Sequence, residues 1–383
     1  MTAFGPWSTT LALAAGFGLA VAALLASTRD NAVANRLLAG LLAAFALKLM
    51  PYALGFAGYY DAYPWLSFAP FDLGLAFGPL LYLHVRTLVA GALPRGWGWH
   101  LLPAALQFGY RAVLFPQPLA VKNDWDARVH VPWIDTPETV LGLVSFAVYL
   151  ALAWRAYRAY QHWLDAHLSS REEFRLTWLR NALVAFALAW PVHAAYEALS
   201  HALGFDYYQR FPLYVFFAAL TVYLGLEGWR HADTVYPRPG AEAEAEIETV
   251  PPASAQPPEP PALGRDWTAQ GEAWLAQTEA AGWWRDPGLS LDRLARHLGT
   301  NTAYLSRALN EGLGVSFNTA INRLRVAEVC RRLAQPGDAD DLLAIAFDAG
   351  FSAKTSFNRT FKALTGTTPS AYRATAAAPR AES

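Results

Sequence analysis

Charge and cysteine are both scarce in this chain. Only 16 % of its 383 residues are Asp, Glu, Lys or Arg and 54 % are hydrophobic, whereas a soluble globular protein carries about 25 % charged residues. The deficit lies almost wholly before Trp229. The one cysteine, Cys330, excludes an intrachain disulfide and carries no redox signal. No phosphate-cradling Gly-rich loop, no Cys/His cluster at metal spacing and no Ser/His/Asp arrangement is visible, so nothing in the sequence supports catalysis, a bound metal or another cofactor. An enzyme would need an active site built inside a membrane from Glu197 and the histidines. The first 28 residues hold no Lys or Arg, which removes the basic start of a secretory signal and leaves the first apolar stretch as a retained span.

What fills the N-terminal part is a series of seven apolar stretches, at about 10–27, 37–57, 65–88, 100–115, 139–154, 178–199 and 211–228. Most approach the ~20 residues that cross a ~30 Å hydrocarbon layer, and the fourth is the shortest. An odd number of spans puts the two ends of the bundle on opposite sides. With the N-terminus outside, Arg29, Arg36, Arg86, Arg95, Arg155, Arg158, Arg171, Arg175, Arg180 and Arg230 fall on the cytoplasmic side, and only Lys122, Arg128 and Arg210 on the outer side. That asymmetry follows the positive-inside rule. Tyr59, Tyr60, Tyr63, Trp65, Trp97, Trp99, Tyr207 and Tyr208 sit at the expected interfaces as belt anchors.

Ionisable residues inside spans are costly and rarely face lipid. Here they are Lys48, Asp72, Arg111, His193 and Glu197, with Gln107 nearby. His193 and Glu197 share one helix face, with His201 a turn further on. Two readings stand: a polar pocket for a small-molecule ligand, or structural ion pairs of Lys48 or Arg111 with Asp72 or Glu197. Metal binding by the two histidines and Glu197 is disfavoured, because His201 lies at the helix end. Gly74 and Gly78 form a GxxxG pair suited to close helix packing, and 117–136 reads as an outer loop, either a lid or plain connection.

From 231 to 264 the composition turns acidic and then Pro-rich with no apolar period, which predicts a disordered tether. An additional amphipathic helix is expected at 267–284. Beyond it the chain reads as two helix-turn-helix units. In the first, Leu291, Leu294, Ala295 and Leu298 recur at helical spacing, Gly299 turns the chain, and Asn301 caps a helix burying Leu305, Ala308 and Leu309. In the second, Leu342, Leu343, Ile345 and Ala346 lead to Gly350-Phe351-Ser352 as turn and cap, then a helix burying Phe357, Phe361 and Leu364 until Gly366 and Pro369 stop it. A helix over 317–333 joins them, about 25 Å long and able to set two reading helices near the ~34 Å of one DNA turn. Eleven Lys/Arg against seven Asp/Glu over 289–375 make this part modestly basic, and Arg325, Arg331 and Arg332 fit either phosphate contact or plain solvated charge.

The run Asn322-Arg323-Leu324-Arg325, then Ala349-Gly350-Phe351, Phe357-Asn358-Arg359-Thr360-Phe361-Lys362, Gly366-Thr367-Thr368-Pro369 and Tyr372-Arg373 resembles the DNA-binding domain of AraC/XylS-type transcription regulators. It departs from that pattern at Leu309, where the family has Phe, and at Cys330, where it has Ala. The resemblance implies that Ala303, Ser306 and Arg307 face outward from one reading helix and Lys354, Thr355, Asn358 and Arg359 from the other. It also implies double-stranded promoter DNA and RNA polymerase as partners. Arg and Lys suit guanine, Asn suits adenine, and hydroxyls meet bases or phosphates.

The expectation is therefore an all-α protein: a seven-transmembrane-helix bundle at 1–230, a disordered linker at 231–264, an AraC-like double helix-turn-helix domain at 265–375 and a disordered tail at 376–383. Such a chain would sit in the bacterial inner membrane with its reading head in the cytoplasm, as a sensor that acts alone or as a homodimer. The competing expectation is a membrane receptor or scaffold whose helical domain binds protein rather than DNA.

Overall fold

The structure is a computed structural model that describes residues 2–168, 176–205, 207–234, 236–238, 266–335 and 341–377. The expected tether, nearly all of it at 239–264, the tail from 378, and Arg171 and Arg175 lie outside the described residues. Among the described residues every regular element is helical, and the one β-type pairing is an isolated bridge between Leu168 and Ser290. The chain divides into two compact units, one of residues 1–158 with 176–241, the other of 159–175 with 242–383.

The first unit is built from α1 (Pro6–Ser27), α2 (Ala32–Phe56), α3 (Phe77–Ala90), α4 (Trp97–Leu114), α5 (Leu119–His167, continuing into the second unit), α6 (Thr177–Leu203) and α7 (Phe211–Arg230). Each of the seven apolar stretches holds a helix. Five of them, α1, α2, α5, α6 and α7, are long and apolar enough to cross a membrane. With 22 residues, α1 measures about 33 Å at 1.5 Å per residue. By contrast α3 has 14 residues and α4 has 18, so these two fall short in length or hydropathy. The outward faces are apolar rather than charged: Leu13 is 70 % exposed, Leu188 69 % and Val192 67 %. Outward apolar faces of this kind suit lipid better than water.

The stretch 117–136 is not a loop. It enters α5 as α-helix over Leu119–Trp125 and as π-helix over Asp126–Asp135. The wider π turn tolerates Pro132, which cannot donate to the regular ladder. Trp125 stacks on His130 at 5.4 Å, and the His130 ring meets Asp126 at 3.0 Å. Lys122, expected on the outer side, is 1 % exposed and donates to the carbonyls of Trp65 and Ser67 at 2.8 and 3.1 Å.

Gly78 lies where α3 and α5 approach each other closely. A Cβ there would lie 3.0 Å from Phe146 Cα and 3.2 Å from the Ser145 carbonyl, both in α5. Backbone cannot yield as a side-chain tip does. Gly78→Val should therefore cost the bundle about 1–3 kcal/mol, read as a lower melting temperature and less monodisperse protein in detergent, with Gly74→Val milder because only the Asp72 side chain stands near it.

The second unit holds α8 (Trp267–Ala281), α9 (Leu291–His297), α10 (Thr302–Arg307), α11 (Phe317–Leu333), α12 (Leu342–Asp348), α13 (Lys354–Thr365) and α14 (Pro369–Ala377). Asp266 caps α8 by accepting from the amides of Thr268 and Ala269. Leu294, Leu305, Leu309, Ile321, Val329, Ile345, Phe357 and Phe361 meet in one apolar core, with α11 running through its middle. Leu364, expected in that core, is 40 % exposed. It sits in the last turn of α13, where the helix has already left the core.

Candidate functional site

Two places in the molecule concentrate polar side chains with a geometry beyond packing. The first lies within the helical bundle. Lys48 of α2 donates to Asp72 at 2.7 Å, and Asp72 also accepts from the Gly74 amide at 3.0 Å. Arg111 of α4 pairs with Glu138 of α5 at 2.8 Å, not with Asp72 or Glu197. Glu138 further accepts from Tyr110 at 2.6 Å and from Gln107, whose own oxygen accepts from the Leu75 amide at 3.2 Å. On α6, the His193 ring lies 3.5 Å from Glu197 and edge-on to Phe217. His201 is exposed, and no metal-holding group occurs among the described residues.

Lys48, Asp72, Gln107, Glu138, His193 and Glu197 all border one cavity of about 120 Å³, whose other walls are largely aromatic. The residues thus converge on a cavity, and two of the three pairs are ion pairs of the structural kind. Arg111 is outside the lining and reaches it through Glu138. Glu138 was missed because it stands just before an apolar stretch, although Gln107 and Arg111 at i and i+4 already announced a polar face in need of a partner.

The second place is the pair of helix-turn-helix units. In the first, Asn301 caps α10 by accepting from the Tyr304 amide at 2.8 Å. This aims Ala303 and Arg307 outward and leaves Ser306 half-buried. Arg307 is held by Glu311 at 2.9 Å and lies over the Trp267 ring. In the second, the cap differs from the expected one: Ala353, with no side-chain bond, precedes α13, and Ser352 stands one residue earlier. Lys354, Thr355, Asn358 and Arg359 are all exposed on α13, while Phe357 and Phe361 are buried behind them. The periodicity that buries the phenylalanines is what presents the polar residues.

Between the two units lies a joint that the sequence did not show. Arg325 of α11 is not a solvated charge: it is 0 % exposed, donates to the carbonyls of Trp284 and Asp286 at 2.9 and 2.7 Å, and lies over Phe351. Burial pushes its guanidinium down to about 10, which leaves it charged at neutral pH. Gly350, at φ +87°, approaches the same turn so closely that a Cβ would stand 2.7 Å from the Arg285 carbonyl. The turn after α8, the helix between the two units and the turn of the second unit thus meet at one point.

Glu328 lies one turn along α11 from Arg325. The Arg331 hydrogen bonds at 2.8 Å, aided by the charges of Arg331 and Arg285, hold its carboxyl below the ordinary 4.5. A depressed acid contributes stability above its unfolded value and loses that contribution as pH falls through the folded one. The denaturation midpoint should consequently fall on acidification below about pH 4.5, and Glu328→Gln should flatten that part of the profile.

Residues 294–375 match the family described as "Helix-turn-helix domain". Among curated proteins, an uncharacterised HTH-type transcriptional regulator of Staphylococcus aureus strain COL is 36 % identical over 85 residues, which are 22 % of this chain and 11 % of that relative. The HTH-type transcriptional activator AarP of Providencia stuartii is 33 % identical over 85 residues, 22 % of this chain and 62 % of that protein. The chain thus spans about a tenth of the staphylococcal relatives' length, and the family match lies within the second unit. No solved structure matches the chain. With the double helix-turn-helix geometry in place, residues 294–375 form a helix-turn-helix domain of the AraC type.

Proposed function

We propose that the chain is a membrane-bound one-component transcription regulator. Its C-terminal unit reads promoter DNA through Ala303, Ser306 and Arg307 on α10 and Lys354, Thr355, Asn358 and Arg359 on α13. Its N-terminal bundle of seven spans, with the N-terminus outside, senses a signal. The observation that carries this reading is the union, on one chain, of an AraC-type domain and five helices of membrane-crossing length and hydropathy. A tether at 231–264 transmits position and local concentration better than torque, so the signal acts on pairing of two reading heads or on their access to tandem sites. Bound heads then contact RNA polymerase. The relatives' printed names are those of transcription regulators, and the chain is read as a regulator, not an enzyme.

The test is genome-wide cross-linking of the full-length, membrane-inserted protein beside an Arg307→Ala, Arg359→Ala double variant. Discrete promoter peaks that vanish in the variant are expected. Absence of peaks across growth conditions, with insertion verified, would replace this reading by a scaffold whose helical domain binds protein.

A further inference from the structure

The cavity in the bundle is where the structure says most beyond a DNA-binding regulator. Three carboxylates, Asp72, Glu138 and Glu197, border it beside one lysine, Lys48, and Arg111 stands behind Glu138. Two of the anions are spoken for. Asp72 accepts from Lys48 and a backbone amide, and Glu138 accepts from Arg111, Tyr110 and Gln107. Among the described residues Glu197 has only the His193 ring at ion-pair distance, 3.5 Å away on its own helix. The charges of Arg210 and Lys48 also reach Glu197, but Arg210 bonds to the Tyr52 side chain and stands outside the cavity wall, and Lys48 is paired with Asp72. Glu197 is therefore the lining carboxylate that no Lys or Arg meets at ion-pair distance among the described residues.

The remaining wall is of the kind that takes an organic cation. Phe45, Phe77, Phe186, Phe217 and Trp190 surround the space, with Phe45 stacked on Phe77 at 4.4 Å. Ring faces attract an ammonium group, most strongly where water is thin, and a carboxylate in such surroundings gains more from a counter-charge than it would in water. Size narrows the class further. The cavity, about 120 Å³ and not fully enclosed, is of the same order as the roughly 150 Å³ closed apolar cavity known to hold benzene. We infer that this cavity is a binding site for a small monocationic amine with an apolar body of about one ring, its ammonium group on Glu197 and its body among the phenylalanines. The inference deepens the reading of the bundle as the sensing part and supplies the chemical class of the signal.

The probe is benzylammonium, compared with benzyl alcohol and benzoate, titrated calorimetrically into the full-length chain in phosphatidylcholine nanodiscs with empty discs subtracted. Saturable benzylammonium binding, at least tenfold tighter than either isostere, is expected. Glu197→Gln should weaken it tenfold or more while leaving benzyl alcohol unchanged, and Glu197→Asp should keep the order of preference. Equal binding of the three probes, preference for benzoate, or an unchanged benzylammonium affinity in Glu197→Gln overturns the assignment. If Glu197→Gln fails to insert, the order of the three probes on the unsubstituted chain decides. Promoter occupancy with and without benzylammonium separates the two readings. Selective binding with unaltered occupancy keeps the site and removes the sensing role, whereas occupancy that responds to another signal, with no selective binding, removes the site and keeps the sensor.

Discussion

Arg325→Ala should destabilise the DNA-binding unit by about 3 kcal/mol or more, the largest loss expected from any single substitution outside the apolar core. The substitution removes two charge-assisted hydrogen bonds, each worth about 1.5–3 kcal/mol, and strands one buried and one part-buried carbonyl. Those carbonyls belong to Trp284 and Asp286, in the turn against which Gly350 is pressed. At about 4–8 °C per kcal/mol for a domain of this size, the melting temperature of the segment 262–383 should fall by roughly 12 °C or more. Arg325→Lys should recover only part of it, since an ammonium lacks the planar fork that reaches two carbonyls at once. A change of about a degree in Arg325→Ala would show that the joint bears no stability. The consequence extends past stability, because α11 links the two helix-turn-helix units and this joint ties α11 to the second turn. Variants that still fold should bind paired half-sites less well than either half-site alone would suggest.

How legible such features are in sequence depends on how local their physics is. The bounds of α11 and the Asn301 cap were readable because a cap, a helical period and a terminating turn are decided within a few residues. The role of Arg325 was not, since it depends on carbonyls some forty residues earlier. A signal was nevertheless present: Ile321, Arg325 and Val329 fall at i, i+4 and i+8, so the arginine stands in the apolar stripe between two residues that are both buried. A charge in that stripe has to find buried partners. The stretch 117–136 misled for the opposite reason. Its Pro118 and Pro132 and its polar residues read as loop, yet Pro118 sits at the start of the helix, the π-helical turns absorb Pro132, and Lys122 is tied down by two carbonyls from the 65–67 segment. Inside the bundle the ionisable residues could be named from sequence because charge in a span is rare. Their pairing could not, because it is set by which helices adjoin, and the sequence carries no map of that.

The reading surface yields the second large effect. Arg359→Ala should weaken binding to the preferred promoter by about 1–3 kcal/mol, tenfold to more than a hundredfold, and relax preference at one base pair. Lys362→Ala, exposed at the far end of the same helix, should weaken all sequences alike and lower the salt slope by about one. The two outcomes separate a side chain that reads a base from one that meets a phosphate. Arg307 adds a complication that sharpens the test. Its guanidinium is engaged by Glu311 at 2.9 Å on an exposed helix surface, an i to i+4 pair of the kind worth only about 0.3–0.5 kcal/mol. A guanine contact outweighs that pair, so Arg307 should exchange the carboxylate for DNA at small cost. Glu311→Gln, which removes both the competitor and a negative charge facing the phosphates, should then tighten binding about twofold to threefold, while Arg307→Ala loosens it at least tenfold. Titration of labelled promoter DNA at several salt concentrations checks all four variants. If Glu311→Gln weakens binding instead, the pair positions Arg307 for DNA and does not compete with it, and α10 reads its half-site with the ion pair intact.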